Sequence, residues 1–190
     1  MQYGKPRTKG ETFFFTITTR NRAPFLCTQS SVLSMQDAIR TVSRYRPFSL
    51  HAFVLLPDHL HCIWTLPLGD SDVTGRWSEI KNEFSKGIHT SPAPAVPDRK
   101  NSDSLWRPGL GEHRILDDHD FVSRVEYIHF NPVKHGLVSL PRTWPHSTFL
   151  RYVERGLYLP DWGSAGEVLL ESGVGSEGEP PLAEAEGSYK

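Results

Sequence analysis

Read in order, the chain alternates as strand, helix, strand, strand, helix, strand once a Pro-rich stretch and the C-terminus are set aside. A two-residue turn joins the middle pair of strands, and the helical segments repeat apolar residues every three or four positions. Together these predict an α+β fold: a ferredoxin-like antiparallel sheet with helices on one face, then a C-terminal helix and a disordered tail.

The first strand is "TFFFTITT" (12–19), rich in aromatic and β-branched residues, with Lys5, Arg7, Lys9, Arg20 and Arg22 flanking it. From Ser30 to Tyr45, Val32, Leu33, Ala38, Ile39 and Val42 recur at helical spacing until "RPF" stops the pattern. "SLHAFVLL" (49–56) and "HLHCIWTL" (59–66) are apolar strands separated only by Pro57 and Asp58, which predicts an antiparallel hairpin. The next helix places Trp77, Ile80, Phe84 and Ile88 on one stripe, with Lys81 and Lys86 toward solvent.

Residues 89–104 hold three prolines and no periodicity, and read as a mobile loop within one domain spanning 1–162. "LWRPGLGEHRIL" supplies a fourth strand weakened by Pro108 and its glycines. In "DDHDFVSRVEYIHFNP" the leading acids suit a helix N-terminus, and Phe121, Val125 and Ile128 form its apolar stripe. This helix is expected to end or kink near Asn131, because a residue preceding proline disfavours the helical region. "WPHSTFLRYVERGLYLPDWG" reads as a short helix and turn docked through Trp144, Phe149, Tyr152 and Trp162. Residues 163–190, rich in Gly, Glu and Ser, are expected to be disordered.

The formal charge of -1 conceals an acidic tail, with six Glu and one Lys from Gly163 onward, on a mildly basic body. A basic body permits phosphate binding without demonstrating it. Cys27 and Cys62 fit no metal or redox pattern, and no apolar stretch approaches the roughly 20 residues that span a bilayer. A soluble, intracellular protein without membrane attachment is expected.

One strand carries the chemistry. Side chains alternate along "HLHCIWTL", so His59 and His61 project together while Leu60, Cys62 and Trp64 project to the core. Neutral imidazoles ligate divalent metals. The third helix offers more: Tyr127 and Asn131 are four apart and share a face, with Arg124 close to the same stripe. Two imidazoles, an amide oxygen and a phenol suit phosphodiester chemistry, in which a metal polarises the phosphate and a phenolate attacks it. A polar strand face would explain His59 and His61 alone; joined to Tyr127 and Asn131, they favour the metal reading. A tyrosine that merely packs at the core edge is the bland alternative for Tyr127.

"PDHLHCIW" followed by "YIHFNPVKHGLV" resembles the HUH single-tyrosine transposases and, within them, the REP-associated tyrosine transposases. The resemblance runs from "ETFFFTITTRNRAPFL" to "RYVERGLYLPDWG". It implies an RRM-like sheet, His59, His61 and Asn131 as ligands of Mg²⁺ or Mn²⁺, and Tyr127 as the nucleophile. It further implies cleavage of single-stranded or hairpin DNA through a 5′-phosphotyrosine, with a free 3′-OH left for rejoining, in a bacterial cytoplasm at the nucleoid. A monomer is favoured over a dimer. Lys5, Arg7, Lys9, Arg20, Arg22 and Arg124 are candidate DNA contacts, and Trp106 or Phe130 candidate stacking surfaces. Gly111 departs from the family, whose members often carry an aromatic residue before the "EH" of strand four. The alternative reading is a catalytically idle domain that binds hairpins without cutting. A metalloenzyme acting on a small molecule would keep its activity after Tyr127→Phe.

Overall fold

The computed structural model describes residues 4–5, 10–90 and 105–164. Strands β1 (Thr12–Thr18), β2 (Ser49–Leu55), β3 (His59–Thr65) and β4 (Gly111–Arg114) form one antiparallel sheet in the order β2-β3-β1-β4. This is the ferredoxin-like order that the element sequence predicts. Helices α1 (Gln29–Tyr45) and α2 (Val73–Thr90) connect the strands, and α3 (Asp118–Lys134) and the short α4 (Phe149–Glu154) follow the sheet. Among the described residues, no helix is long and apolar enough to cross a membrane.

Strand alternation divides the core in two. Phe15 and Ile17 of β1 and Leu60, Cys62 and Trp64 of β3 face α1 and α2, where they meet Met35, Ala38, Val42, Trp77, Ile80, Phe84 and Ile88. The Trp64 indole stacks on Trp77 at 4.7 Å between centroids and tilts against Phe15 at 4.6 Å. Fully burying side chains of this kind stabilises by about 1.5–3 kcal/mol each before conformational entropy is set against it. Leu33, assigned to the buried stripe of α1 by its spacing, is 54% exposed, while Met35 takes the inward position.

The opposite face is where the structure departs from a sheet left open on one side. Phe14, Ala52, Val54 and Ile63 are covered there by Phe121, Val125 and Ile128 of α3 and by Trp144, Phe149, Tyr152 and Tyr158. The strand face that carries the histidines therefore meets a helix.

That helix also runs further than its sequence suggests. It passes through Pro132 and ends at Lys134, with the His135 N–H donating to Asn131 O at 3.0 Å. Proline inside a helix costs about 3 kcal/mol through the lost bond and ring clash. Here it falls in the last turns, and Ile128, Asn131 and Pro132 are all buried against the body, so packing outweighs the local preference.

Asp117 caps the other end by accepting from Asp120 N at 2.9 Å, with Asp118 and Asp120 in the first turn. At Gly111, a Cβ would lie 3.1 Å from the Thr16 carbonyl oxygen and 3.2 Å from Thr16 Cβ, so glycine lets β4 close tightly on β1. Trp106 is 3% exposed and packs on Phe84 in the first core, which removes it as a stacking platform. Most of the Pro-rich segment 89–104 and nearly all of the tail 163–190 lie outside the described residues.

Candidate active site

Strand β3 presents both histidines to α3, each with Nδ1 engaged. His61 Nδ1 lies 2.9 Å from the hydroxyl of Thr16, its cross-strand partner in β1. His59 Nδ1 lies 2.7 Å from Asp58 Oδ1, and Arg22 Nε donates to the other carboxylate oxygen at 2.7 Å. Holding Nδ1 in this way selects Nε2 as the ring nitrogen that a metal would use. The two rings are 4.9 Å apart and nearly perpendicular, and both residues are buried.

Helix α3 completes the arrangement. Its Tyr127 ring lies edge-on to His61 at 5.2 Å, and Phe14 stacks on His61 at 5.4 Å. Two turns on, just past the end of α3, the ring of His135 lies 5.2 Å from His59. Asn131 is midway between Tyr127 and His135 on one helical stripe, so contacts with both histidines bracket it. It is fully buried, and neither atom of its side-chain amide has a hydrogen-bond partner among the described residues. A buried amide left this way costs about 1–3 kcal/mol and calls for a ligand.

Among the described residues, no group of three His, Cys, Asp or Glu side chains is placed to hold a metal ion. The donor set is instead two imidazoles and an amide oxygen, which suits a divalent cation that keeps waters or phosphate oxygens in its remaining positions. The residues present fit such an ion.

A cation already sits against the phenol. Lys134 Nζ donates to the Tyr127 hydroxyl oxygen at 3.3 Å and lies 4.7 Å from the ring centroid. On the other side, the Arg124 guanidinium stands 5.0 Å over the Phe14 ring and pairs with Asp120 at 3.4 Å. Burial would raise the Asp120 carboxyl, but bonds from His113 and Leu116 and the charge of Arg124 outweigh it and hold it below the usual range.

The remaining basic candidates are placed differently from one another where they are described. Arg22 turns inward onto Asp58, with its side chain 16% exposed. Lys5 reaches Ile115 O at 3.0 Å, Arg20 is exposed, and Arg7 and Lys9 lie outside the described residues. Phe130 packs edge-on against Trp162. Neither Lys134 nor His135 is among the residues that the spacing in the sequence singles out. The interval of seven from Tyr127 to Lys134 and of four from Asn131 to His135 would have flagged them had the helix been carried through Pro132.

Against known proteins, the chain is 44% identical over 176 residues to the REP-associated tyrosine transposase of Escherichia coli (strain K12), covering 89% of this chain and 98% of that protein. It is 30% identical over 174 residues to a putative REP-associated tyrosine transposase of Haemophilus influenzae (strain ATCC 51907 / DSM 11121 / KW20 / Rd), covering 90% and 98%. A solved structure of the REP-associated tyrosine transposase bound to a REP hairpin aligns with a TM-score of 0.69 and 43% identity, over 85% of this chain and 90% of that one. No family model matches the chain.

Proposed function

The chain belongs to the REP-associated tyrosine transposases, and from that membership we propose that it cuts and rejoins single-stranded or REP-type hairpin DNA through Tyr127. The observation that carries the reading is the phenol of Tyr127, seated 5.2 Å from His61 with an ammonium 3.3 Å from its oxygen. All the proposed catalytic and ligand residues come from one chain, so a monomer suffices.

His59, His61 and Asn131 would hold Mg²⁺ or Mn²⁺, which would supply Lewis-acid polarisation of the scissile phosphate. A tyrosine has an ordinary pKa of about 10, so the neutral phenol is a weak nucleophile at neutral pH. Lys134 offsets this by stabilising the phenolate as its proton leaves to solvent. The Tyr127 oxygen forms a bond to phosphorus and the bond from phosphorus to the 3′ oxygen breaks. The departing oxygen takes up a proton to become a free 3′-OH. In the reverse direction a 3′-OH attacks the phosphotyrosine, and Lys134 stabilises the phenolate as leaving group. Phe14 and Thr16 hold His61 in place, and Arg124, together with Lys5, Arg7, Lys9 and Arg20 from the N-terminal part of the chain, supplies charge for the DNA backbone.

The test incubates the protein and Tyr127→Phe with labelled single-stranded hairpin DNAs in Mn²⁺, Mg²⁺ or EDTA. A metal-dependent, protein-linked band that the substitution abolishes is the expected result. Tight hairpin binding with no such band under any metal would overturn the proposal in favour of an idle binding domain.

A further inference from the structure

The β1–α1 loop reaches under the metal-site strand in a conformation that carries two local costs. Asn21 and Arg22 both have φ of 54°, a left-handed backbone that asparagine tolerates and arginine rarely adopts. Arg22 Nη2 is in addition buried without a hydrogen-bond partner among the described residues. The compensation is the contact of Arg22 Nε with Asp58 Oδ2, on a carboxylate 1% exposed whose other oxygen bonds His59 Nδ1.

Closing the loop does not require that ion pair. The backbone already joins the two segments, Thr19 N to Asp58 O at 2.9 Å and Leu26 N to Pro57 O at 2.8 Å, and Leu56 N to His59 O closes the hairpin at 2.8 Å. Strained backbone at a site is a reason to look for a role there.

We propose that Arg22 is a positioning residue of the metal site, acting through Asp58. Its guanidinium fixes the carboxylate, the carboxylate fixes the Nδ1–H tautomer and ring angle of His59, and His59 Nε2 is thereby aimed at the ion. A lysine would preserve the charge but not the planar, directed donor that holds one carboxylate oxygen while leaving the other to His59.

The inference rests on the metal site proposed above, and the test separates the two. Mn²⁺ affinity is measured by electron paramagnetic resonance of the free ion, without DNA, in full-length protein carrying Tyr127→Phe. Into this parent are placed Arg22→Gln, Arg22→Lys, Asp58→Ala, the Arg22→Gln/Asp58→Ala double and His59→Ala, with circular dichroism to establish folding. Arg22→Gln should weaken Mn²⁺ binding about tenfold and Asp58→Ala about 10–100-fold, the usual range for outer-sphere partners of a ligating histidine. The double should bind no more weakly than Asp58→Ala alone, and Arg22→Lys should recover part of the loss. Unchanged affinity in Arg22→Gln, or losses that multiply in the double, would overturn the role of Arg22 while His59→Ala still reported the site. Should Arg22→Gln fail to fold, Arg22→Lys decides, and affinity equal to the parent refutes the proposal. A parent that binds no Mn²⁺ removes both site and inference.

Discussion

Acid should loosen this protein through His129, and replacing that residue should flatten the dependence. The ring lies fully buried on α3 two residues from Tyr127, with Nε2 2.9 Å from Thr148 Oγ1 and Nδ1 3.3 Å from the Tyr158 hydroxyl. Burial pushes its pKa down from the usual 6.5 to about 3. Between those values the unfolded chain binds a proton that the native fold refuses, so stability falls as pH drops below 6.5 and the loss is complete near pH 3.

One such group costs about 1.4 kcal/mol per pH unit in that window, or roughly 2.7 kcal/mol at about pH 4.5. That is a large share of a typical total of about 5–15 kcal/mol. His51, which burial also lowers, to about 4, adds to the loss with the same sign. Urea unfolding followed by tryptophan fluorescence at about pH 6.5 and 4.5, for the parent and His129→Leu, isolates the effect because every other titrating group is shared. The parent should lose roughly 2–3 kcal/mol more than the variant between the two conditions. Parallel losses would refute the reasoning.

Asn131→Leu should raise the melting temperature in EDTA, since it removes a buried amide that has no hydrogen-bond partner among the described residues and costs about 1–3 kcal/mol, while abolishing stabilisation by Mn²⁺. A lower melting temperature in EDTA, or undiminished Mn²⁺ stabilisation, would contradict the assignment. Lys134→Met should slow single-turnover adduct formation about tenfold, the low end for a charged hydrogen bond because the lysine is exposed; an unchanged rate counts against the phenolate role. Arg124→Gln should weaken hairpin binding and reduce the slope of log affinity against log salt by about 0.7–0.9, as loss of one phosphate contact requires. Titration of fluorescent DNA at several salt concentrations reads that slope, and an unchanged value argues against a backbone contact.

The sheet was legible because its signals are periodic. His59 and His61 alternate with Leu60, Cys62 and Trp64, and Trp77, Ile80, Phe84 and Ile88 repeat at helical spacing; the structure keeps both patterns. Tyr127 and Asn131 were legible as a helical pair for the same reason, and the structure sets their shared stripe against the histidines.

What was hidden depended on tertiary context. The rule for a residue before proline is local, whereas α3 continues through Pro132 because its buried face outweighs one lost bond, and only that continuation brings Lys134 and His135 to the site. Arg22 looked like one more surface cation, since Asn21 tolerates a left-handed turn but nothing in "TTRNRAPF" says that the turn sends Arg22 inward to Asp58. Trp106 resembled a stacking platform until the sheet closed over it, and Leu33 had the spacing of a core residue without the partner.

The most direct test of the account is mass spectrometry of the protein–DNA adduct after nuclease trimming and tryptic digestion. Trypsin releases Val125–Lys134, a peptide with a single tyrosine. A nucleotide mass is expected on that peptide, localised to Tyr127 and absent when EDTA replaces the metal. A nucleotide on any other residue, or DNA cleaved with no protein-linked species at any time, would contradict it.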